Sequence, residues 1–258
     1  MKLFIRNRSG KRIAVLVDKP KKVRGLAFVM HGRGGFKEQP QVLTFARACF
    51  AAGCIVVRFD ARHSLGESEG RMEEITVKSC DEDLEDVILW AKKQTWYVQP
   101  FFLVGHSLGG LTVLQYAQSH PNTVAGVAPL ATVLSGKRHT EVKGKSYMSS
   151  WKSTGWLFEK SLSKPGVIKR IPWSFMEELM RVDVTKQVKK LTMPVLLIVG
   201  ENDEDHVQDQ KNLYRMLPGP KEFHIIKGAP HTFRDRKHLA EIKRIMKKWI
   251  DNVLHHAP

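Results

Sequence analysis

Residues 101–112 read FFLVGHSLGGLT. Four apolar residues, typical of a buried strand, lead directly into Gly105-His106-Ser107-Leu108-Gly109, and a helix-like pattern follows. A G-x-S-x-G sequence between a strand and a helix forms a sharp turn that lifts the serine hydroxyl clear of the sheet. Glycines on both sides leave room for the strained backbone of such a turn. Ser107 is therefore the candidate nucleophile, and the alternative is a serine that only caps a helix in an unrelated α/β protein.

Short apolar runs alternate with helix-like stretches along the chain, which is typical of a parallel sheet covered by helices on both faces. The predicted strands are Phe4–Arg6, Ile13–Val17, Gly25–Met30, Cys54–Phe59, Phe101–Val104, Val124–Ala128, Val195–Val199 and Glu222–Ile226. The predicted helices are Gln41–Ala52, Cys80–Lys93, Gly110–Ser119, Asp209–Leu217 and Lys237–Val253. In the last helix, apolar residues recur at the spacing of one buried stripe. The pattern predicts a single α/β domain over residues 1–258.

Composition limits the class of protein. The chain has 258 residues, of which 42% are hydrophobic and 26% charged, as in an ordinary globular domain with a sizeable core. No stretch approaches the roughly 18 apolar residues needed to span a bilayer, and the N-terminus does not resemble a secretory signal. The three cysteines, Cys49, Cys54 and Cys80, lack metal-ligand spacing. We expect a cytoplasmic protein with reduced thiols, no membrane span, no metal and no organic cofactor.

The positive charge is concentrated in one part of the chain. Forty-two Lys and Arg residues against 26 Asp and Glu give a net charge of +16. Half of this excess lies between Val133 and Lys190, where 13 basic residues accompany five acidic ones. Residues 133–185 also break the alternation of strands and helices and are rich in aromatic residues. Because a structureless connection of this length is uncommon inside a compact domain, we predict an inserted lid with short elements of its own.

A serine hydroxyl is a poor nucleophile unless a histidine takes its proton and a carboxylate orients that histidine. On this architecture the chain order is serine, acid, histidine, with the acid and the histidine in loops after later strands. The sequence GENDED follows the strand at 195–199. Asp203 is our candidate for the acid, because it comes directly after the strand has ended. Asp205 is the alternative, and Glu204 lies between the two.

The candidate base follows the last predicted strand, in the sequence GAPHTF. His231 lies there in a turn-rich loop before the final helix. Among its rivals, His224 falls within the strand, and His255 and His256 fall in the C-terminal tail. His231 is therefore predicted to remove the proton from Ser107.

Acyl transfer also needs donors for the oxyanion of its tetrahedral intermediate. The strand at 25–30 ends in HGRGG, residues 31–35, where glycines allow backbone N–H groups to face the site. We assign the two donors to the backbone amides of Arg33 and Leu108, the latter directly after the nucleophile. His31 and His106 are interpreted as structural side chains that brace these turns.

The chain resembles the α/β-hydrolase superfamily over essentially its whole length. The motifs that carry the resemblance are HGRGG at 31–35, FDARHSLGESEG at 59–70, GHSLGG at 105–110, GEND at 200–203 and GAPHTF at 228–233. The sequence is similar to the small serine hydrolases that include feruloyl (cinnamoyl) esterases, monoacylglycerol lipases and serine aminopeptidase-like enzymes. The resemblance implies an eight-stranded, mostly parallel sheet with a lid after the sixth strand. One motif departs, because His63 stands at the first glycine of the usual D-x-R-G-x-G-x-S loop.

The predicted function is hydrolysis of carboxylic esters through an acyl-enzyme, with aryl (feruloyl-type) or acyl-glycerol esters as small-molecule substrates. A lactonase, a thioesterase or an aminopeptidase would use the same triad, and the sequence leaves these alternatives open. The charge of +16 raises a different class, a basic nucleic-acid-binding or anionic-membrane-binding protein with a vestigial hydrolase core. Since the basic residues form no recognisable nucleic-acid motif, no specific nucleic acid is expected as a partner.

Overall fold

The computed structural model describes residues 1–256. The strands are β1 (Lys2–Arg6), β2 (Arg12–Asp18), β3 (Gly25–Met30), β4 (Cys54–Phe59), β5 (Phe101–His106), β6 (Val124–Leu130), β7 (Trp156–Lys160), β8 (Ile168–Pro172), β9 (Val195–Gly200) and β10 (Lys221–Ile226). The α-helices are α1 (Pro40–Ala51), α2 (Val77–Lys92), α3 (Leu108–Ser119), α4 (Gly136–Lys143), α5 (Lys145–Thr154), α6 (Trp173–Leu179), α7 (Glu204–Met216) and α8 (Arg236–His255). Short 3₁₀ helices cover Met72–Glu74, Pro121–Thr123 and Val184–Lys190.

Eight strands form one sheet in the order β1-β2-β4-β3-β5-β6-β9-β10. The pairs β1–β2 and β2–β4 are antiparallel, and the other pairs of this sheet are parallel. The strands β3, β5 and β9 are buried at every residue, as expected for parallel strands covered on both faces. The predicted α/β-hydrolase fold with a mostly parallel eight-stranded sheet is confirmed.

Helices cover both faces of this sheet. Side chains of α1 and α8 join the buried cluster on one face, and side chains of α2 and α3 join the cluster on the other. The stripe of α8 that is buried consists of Ile242, Ile245, Met246, Trp249 and Ile250. Burial of a large apolar side chain contributes about 1.5–3 kcal/mol, so this one stripe anchors the C-terminal helix firmly.

Two helices begin several residues earlier than predicted. Helix α2 begins at Val77 rather than at 80, because the Thr76 hydroxyl accepts a hydrogen bond from the Ser79 amide at 2.8 Å. Helix α7 begins at Glu204 rather than at 209, with Asp203 at its N-cap position. The second shift matters for function, since it puts the residues directly after Asp203 on a helix.

The insertion, residues 133–185, follows β6 and contains α4, α5, the β7–β8 hairpin and α6. Trp151 is only 2% exposed and packs edge-on against Trp173, with ring centroids 5.7 Å apart. Some aromatic residues of the insertion are therefore packed inside the protein. Its action as a lid remains a prediction.

His63, which replaces the first glycine of the D-x-R-G-x-G-x-S motif, has a backbone conformation that is typical of glycine. His63 has a φ of 61°, in the left-handed region that non-glycine residues rarely adopt. Its ring is buried, with Nδ1 3.2 Å from a carboxylate oxygen of Glu74. The loop therefore retains a left-handed turn although it carries a side chain.

The three cysteines are all free and buried. None of the helices in residues 1–256 combines the length and the apolar character needed to cross a membrane.

Candidate active site

Ser107 lies at the turn between β5 and α3, with φ 55° and ψ −117°. A non-glycine residue in such a sparsely populated conformation costs about 1–3 kcal/mol, so surrounding contacts must hold it. The Ser107 amide donates to the Leu130 carbonyl at 2.9 Å. The Ser107 carbonyl accepts from the Thr132 hydroxyl at 2.7 Å. These two bonds fix the turn against the end of β6.

Glycines at 105 and 109 are required by close approaches of the backbone. A Cβ atom on Gly105 would lie 2.1 Å from the Gly109 carbonyl oxygen. A Cβ atom on Gly109 would lie 2.4 Å from the His31 carbonyl oxygen. The turn can therefore hold this geometry only with glycine at both positions, which explains the G-x-S-x-G spacing.

Asp203 and His231 meet through a hydrogen bond of 2.7 Å between Asp203 Oδ2 and His231 Nδ1. Burial raises the Asp203 pKa, but hydrogen bonds from His206 and His231 outweigh burial and hold that pKa well below its ordinary value. Asp203 is therefore a carboxylate, and an acceptor at this distance assigns the ring proton to Nδ1. The Nε2 atom of His231 is left free to accept a proton.

Ser107, Asp203 and His231 line one cavity of about 390 Å³. The structure thus brings the three predicted side chains to the same edge of the sheet. Within residues 1–256, no hydrogen bond joins the Ser107 hydroxyl to the His231 ring. Such bonds are often long without substrate and tighten when substrate binds.

Arg33 and Leu108, whose backbone amides are the predicted oxyanion donors, also line this cavity. In the described part of the chain neither amide donates a hydrogen bond. Leu108 is the first residue of α3, where the N–H groups have no partner within the helix. The loop after β3 runs close to the serine, since a Cβ atom on Gly32 would lie 3.1 Å from Ser107 Cβ. Two free N–H groups beside a serine are suited to an oxyanion.

His31 and His106 tie the loops of the site together. His106 Nε2 lies 2.8 Å from the His231 carbonyl oxygen, and burial lowers the His106 pKa to about 3, so the neutral ring donates this bond. His31 Nε2 accepts from the Ala61 amide at 3.0 Å, while Nδ1 donates to the Gly32 carbonyl at 2.8 Å. Burial also lowers the His31 pKa. These contacts agree with the interpretation of both residues as braces.

A further imidazole, His206, contacts the candidate acid and was missed in the sequence. His206 Nδ1 lies 2.8 Å from Asp203 Oδ1. Its ring stacks on His231, with centroids 4.6 Å apart and an interplanar angle of 24°. The spacing of three between Asp203 and His206 could have indicated this contact, because residues three apart on a helix are neighbours. It was hidden because the helix was predicted to begin at 209.

The rival residues have other partners or face solvent. Asp205 lines the cavity but forms an ion pair with Lys143 of the insertion rather than with His231. Glu204 is exposed on α7. His224 lies in β10 and is 3.2 Å from Glu222.

The side chains of Asp203, His206 and His231 lie close enough together to be considered as metal ligands. A carboxylate oxygen of Asp203 and one ring nitrogen each of His206 and His231 lie within 4.8 Å of one another. Stacked rings, however, direct their nitrogen lone pairs side by side rather than towards one point. Both Nδ1 atoms are also engaged with Asp203. The cluster is therefore better suited to orienting an imidazole than to binding a metal.

The insertion supplies the outer wall of the cavity. Glu159 of β7 accepts from the Arg33 guanidinium at 2.8 Å and from Lys169 Nζ at 2.8 Å. Apolar side chains on the same wall include Leu162, Phe175 and Leu179. Most cations that line the cavity are thus already paired, and apolar surface is left for a substrate.

Comparisons with known proteins show the family of this chain. The family model described as serine aminopeptidase, S33, matches residues 21–235. Among curated proteins, the mitochondrial palmitoyl-protein thioesterase ABHD10 of Mus musculus is 27% identical over 168 residues, 60% of this chain and 51% of that protein. The ABHD10 of Bos taurus is 26% identical over 176 residues. The chain spans about half the length of these relatives. Since their name places them in mitochondria, a cytoplasmic location for this chain stays a prediction.

Solved structures show the same fold. Est1E from Butyrivibrio proteoclasticus, with ferulic acid bound, superposes with a TM-score of 0.78 at 20% identity and covers 98% of this chain and 99% of its own. ABHD10 from mouse superposes with a TM-score of 0.79 at 22% identity, with the same coverage. The matched family model spans most of the chain, and the mostly parallel eight-stranded sheet is that of its fold. The chain belongs to the serine aminopeptidase, S33, family of α/β-hydrolase-fold serine hydrolases.

Proposed function

We propose that this chain hydrolyses carboxylic esters through an acyl-enzyme on Ser107, with His231 as general base and Asp203 as the acid that orients it. The observation that carries the proposal is the 2.7 Å bond between His231 and Asp203 in the cavity that holds the strained Ser107. A strained residue held by several contacts is a recurrent feature of active sites. The free amides of Arg33 and Leu108 support their assignment as the oxyanion hole.

The reaction proceeds in two stages. His231 Nε2 takes the proton of the Ser107 hydroxyl as Oγ bonds to the carbonyl carbon, and the carbonyl oxygen becomes an oxyanion between the two amides. The imidazolium returns its proton to the leaving alkoxide as the carbon–oxygen bond breaks. His231 then deprotonates a water molecule, which attacks the acyl-enzyme, and Ser107 recovers its proton as the carboxylic acid is released. Residues 133–185 act as the lid that excludes bulk water.

Hydrolysis of thioesters is the second candidate. The observation that favours it is the sequence match to two proteins named palmitoyl-protein thioesterase. Oxygen esters and thioesters pass through the same acyl-enzyme, so the triad itself does not distinguish them. The values of kcat/KM for an ester and a thioester that carry the same acyl group distinguish the two activities. Further pairs with short, long and aryl acyl groups define the acyl pocket.

The test of the mechanism is the variant Ser107→Ala. We expect turnover of p-nitrophenyl esters to fall by more than about 10⁴-fold, because the nucleophile is removed while the fold persists. A fluorophosphonate probe should label wild-type protein at Ser107 and fail to label the variant. Ser64→Ala, which removes a hydroxyl from the loop after β4, is the matched control and should retain activity. Turnover by Ser107→Ala at the wild-type rate would contradict the proposal.

A further inference from the structure

The β7–β8 hairpin has two different faces. The strands pair antiparallel, with Phe158 opposite Arg170 and Glu159 opposite Lys169. Because side chains alternate between the faces of a strand, Glu159 and Lys169 share the face that contacts Arg33 at the cavity. Phe158 and Arg170 lie on the opposite, outer face. The inner face thus contacts the site, whereas the outer face reaches the cavity only near the turn of the hairpin, through Lys160 and Leu162.

The outer face presents large apolar side chains to solvent. Phe158 and Ile168 are each 59% exposed, and Leu162, in the turn between the strands, is 63% exposed. Scattered exposed apolar residues are ordinary in a globular protein. Here three of them lie within one hairpin of 17 residues, and no other part of residues 1–256 covers them. An apolar surface so concentrated indicates a contact with something outside the chain.

Cations are interleaved with these apolar side chains. Lys160 lies opposite Ile168, and both are exposed. The Arg170 guanidinium lies 4.8 Å from the centroid of the Trp156 ring and 5.7 Å from that of Phe158. Glu73 offsets part of this charge at 3.7 Å from Arg170. The region from 133 to 190 still carries a net charge of +8. Long basic side chains beside aromatic rings match the interface of a bilayer, where the rings enter the headgroups and the cations meet phosphates.

We propose that the outer face of the β7–β8 hairpin docks on an anionic phospholipid bilayer. Charge complementarity favours an anionic surface, and the exposed aliphatic side chains favour lipid over nucleic acid, whose backbone offers phosphates but no apolar interior. Leu162 and Lys160 line the cavity as well. Docking therefore puts the cavity mouth next to the membrane, where amphipathic acyl substrates are concentrated. The inference goes beyond the proposed hydrolysis and does not depend on it, since binding requires no turnover.

Cosedimentation of the full chain with vesicles tests the proposal. Vesicles of phosphatidylcholine and phosphatidylglycerol in equal amounts should bind the protein, and vesicles of phosphatidylcholine alone should bind it at least about tenfold more weakly. Added salt should weaken binding to the anionic vesicles. The double variant Phe158→Ser/Ile168→Ser should lower the partition coefficient by about tenfold or more, because two apolar side chains no longer enter the bilayer. Lys160→Gln should lower it about fivefold.

The matched control is Leu89→Ser, which removes an apolar side chain that is 55% exposed on α2 outside the insertion. It should bind anionic vesicles like wild type. Circular dichroism verifies that each variant is folded. Failure of wild type to bind anionic vesicles would overturn the proposal, as would equal loss in Leu89→Ser and in the hairpin variant. Retention on duplex DNA that the hairpin substitutions reduce, without vesicle binding, would assign the face to nucleic acid instead. Because the Ser107→Ala variant serves equally well here, the outcome is independent of hydrolase activity.

Discussion

Asp203 divides its two carboxylate oxygens between two imidazoles. An aspartate at a helix N-cap usually accepts a hydrogen bond from a backbone amide of the first turn. The Asp203 side chain makes no such bond, because it is directed at His231. His206, on the first turn of α7, supplies the missing donor to Oδ1 at 2.8 Å. We therefore expect His206 to be a positioning residue, which holds the Asp203 carboxylate that orients the candidate base.

Replacing His206 should separate this role from a merely structural one. In His206→Ala, Oδ1 loses its donor, and a hydrogen bond to a charged group contributes about 1.5–3 kcal/mol. The adjoining cavity can supply a water molecule in compensation, so we expect kcat/KM to fall about tenfold, chiefly through kcat. His206→Asn, whose amide nitrogen can replace Nδ1, should recover most of the loss. Ester hydrolysis measured from pH 5 to 9 provides the data.

The control for His206 is His224→Ala, which removes a histidine paired with a carboxylate in β10 and should leave kcat/KM unchanged.

The pKa of Asp203 is depressed in the folded state, so its hydrogen bonds stabilise the fold at pH values above the ordinary pKa of an aspartate. That contribution is lost as pH falls through the folded-state value. His206→Ala should therefore lower the free energy of unfolding at neutral pH. Equal activity of the Ala and Asn variants would refute the positioning role.

The sequence predicts those residues of the site whose type is required for acyl transfer and whose loop follows a strand. Ser107, Asp203 and His231 follow parallel strands of the sheet, and parallel strands deliver their loops to one edge. His206 could not be assigned without the start of α7, which lies at Glu204 and not at 209 as the sequence predicts. The pairing of Arg33 with Glu159 joins residues 126 apart in sequence and has no local signal. Tertiary contacts of this kind need coordinates.

Among the elements, the β7–β8 hairpin is joined to the rest of the molecule partly through the ion pairs of one carboxylate, Glu159. A two-stranded sheet is marginally stable on its own. Glu159 binds Arg33 in the loop after β3 and Lys169 on the neighbouring strand. Burial raises the pKa of Glu159, but the two cations outweigh burial and lower it, so the carboxylate is charged at neutral pH. One side chain thus joins the outer wall of the cavity to the candidate oxyanion loop.

Glu159→Ala should loosen this hairpin without unfolding the protein. Loss of the carboxylate removes two charge-assisted bonds in a partly exposed site, which we expect to lower the local opening free energy by about 1–2 kcal/mol. Amide hydrogen exchange in 156–160 and 168–172 should then accelerate about tenfold, while exchange in β5 stays unchanged. The control is Glu141→Ala on α4, an exposed glutamate. Unaltered exchange in the hairpin of Glu159→Ala would show that other contacts hold it.

Elements with a clear period were predictable, and the insertion was not. All eight strands of the main sheet and the five helices outside the insertion were anticipated, because runs such as Val195–Val199 are continuously apolar and α8 carries a helical stripe. Within 133–185 the pattern fails, since β7 and β8 alternate between a cavity face and a solvent face that are both mixed in polarity. Neither face has the apolar pattern of a buried strand. The sequence therefore predicts short elements in this segment but not their type or bounds.

At the scale of the whole molecule, the insertion shares its core with the main domain. Trp151, Ile171 and Phe175 of the insertion belong to the same buried cluster as Leu108 and Leu111 of α3. A separate domain would instead have a core of its own. The position of the cavity between the insertion and the sheet edge is therefore a consequence of one continuous apolar interior. The single domain over residues 1–258 stays a prediction.

A shared core predicts a single cooperative unfolding transition. Three of the six tryptophans, Trp151, Trp156 and Trp173, lie in the insertion, so intrinsic fluorescence reports strongly on it, whereas far-UV circular dichroism is dominated by the helices of the main domain. Because the insertion and the main domain share buried contacts, unfolding of one exposes the core of the other. The denaturant midpoints from the two signals should therefore coincide. Phe175→Ala, which removes a side chain that is 1% exposed, should shift both midpoints together by an amount corresponding to about 3–5 kcal/mol. Phe158→Ala, on the exposed face of the hairpin, should shift neither. A fluorescence transition at lower denaturant than the circular dichroism transition would mean that the insertion unfolds by itself and that the core is divided.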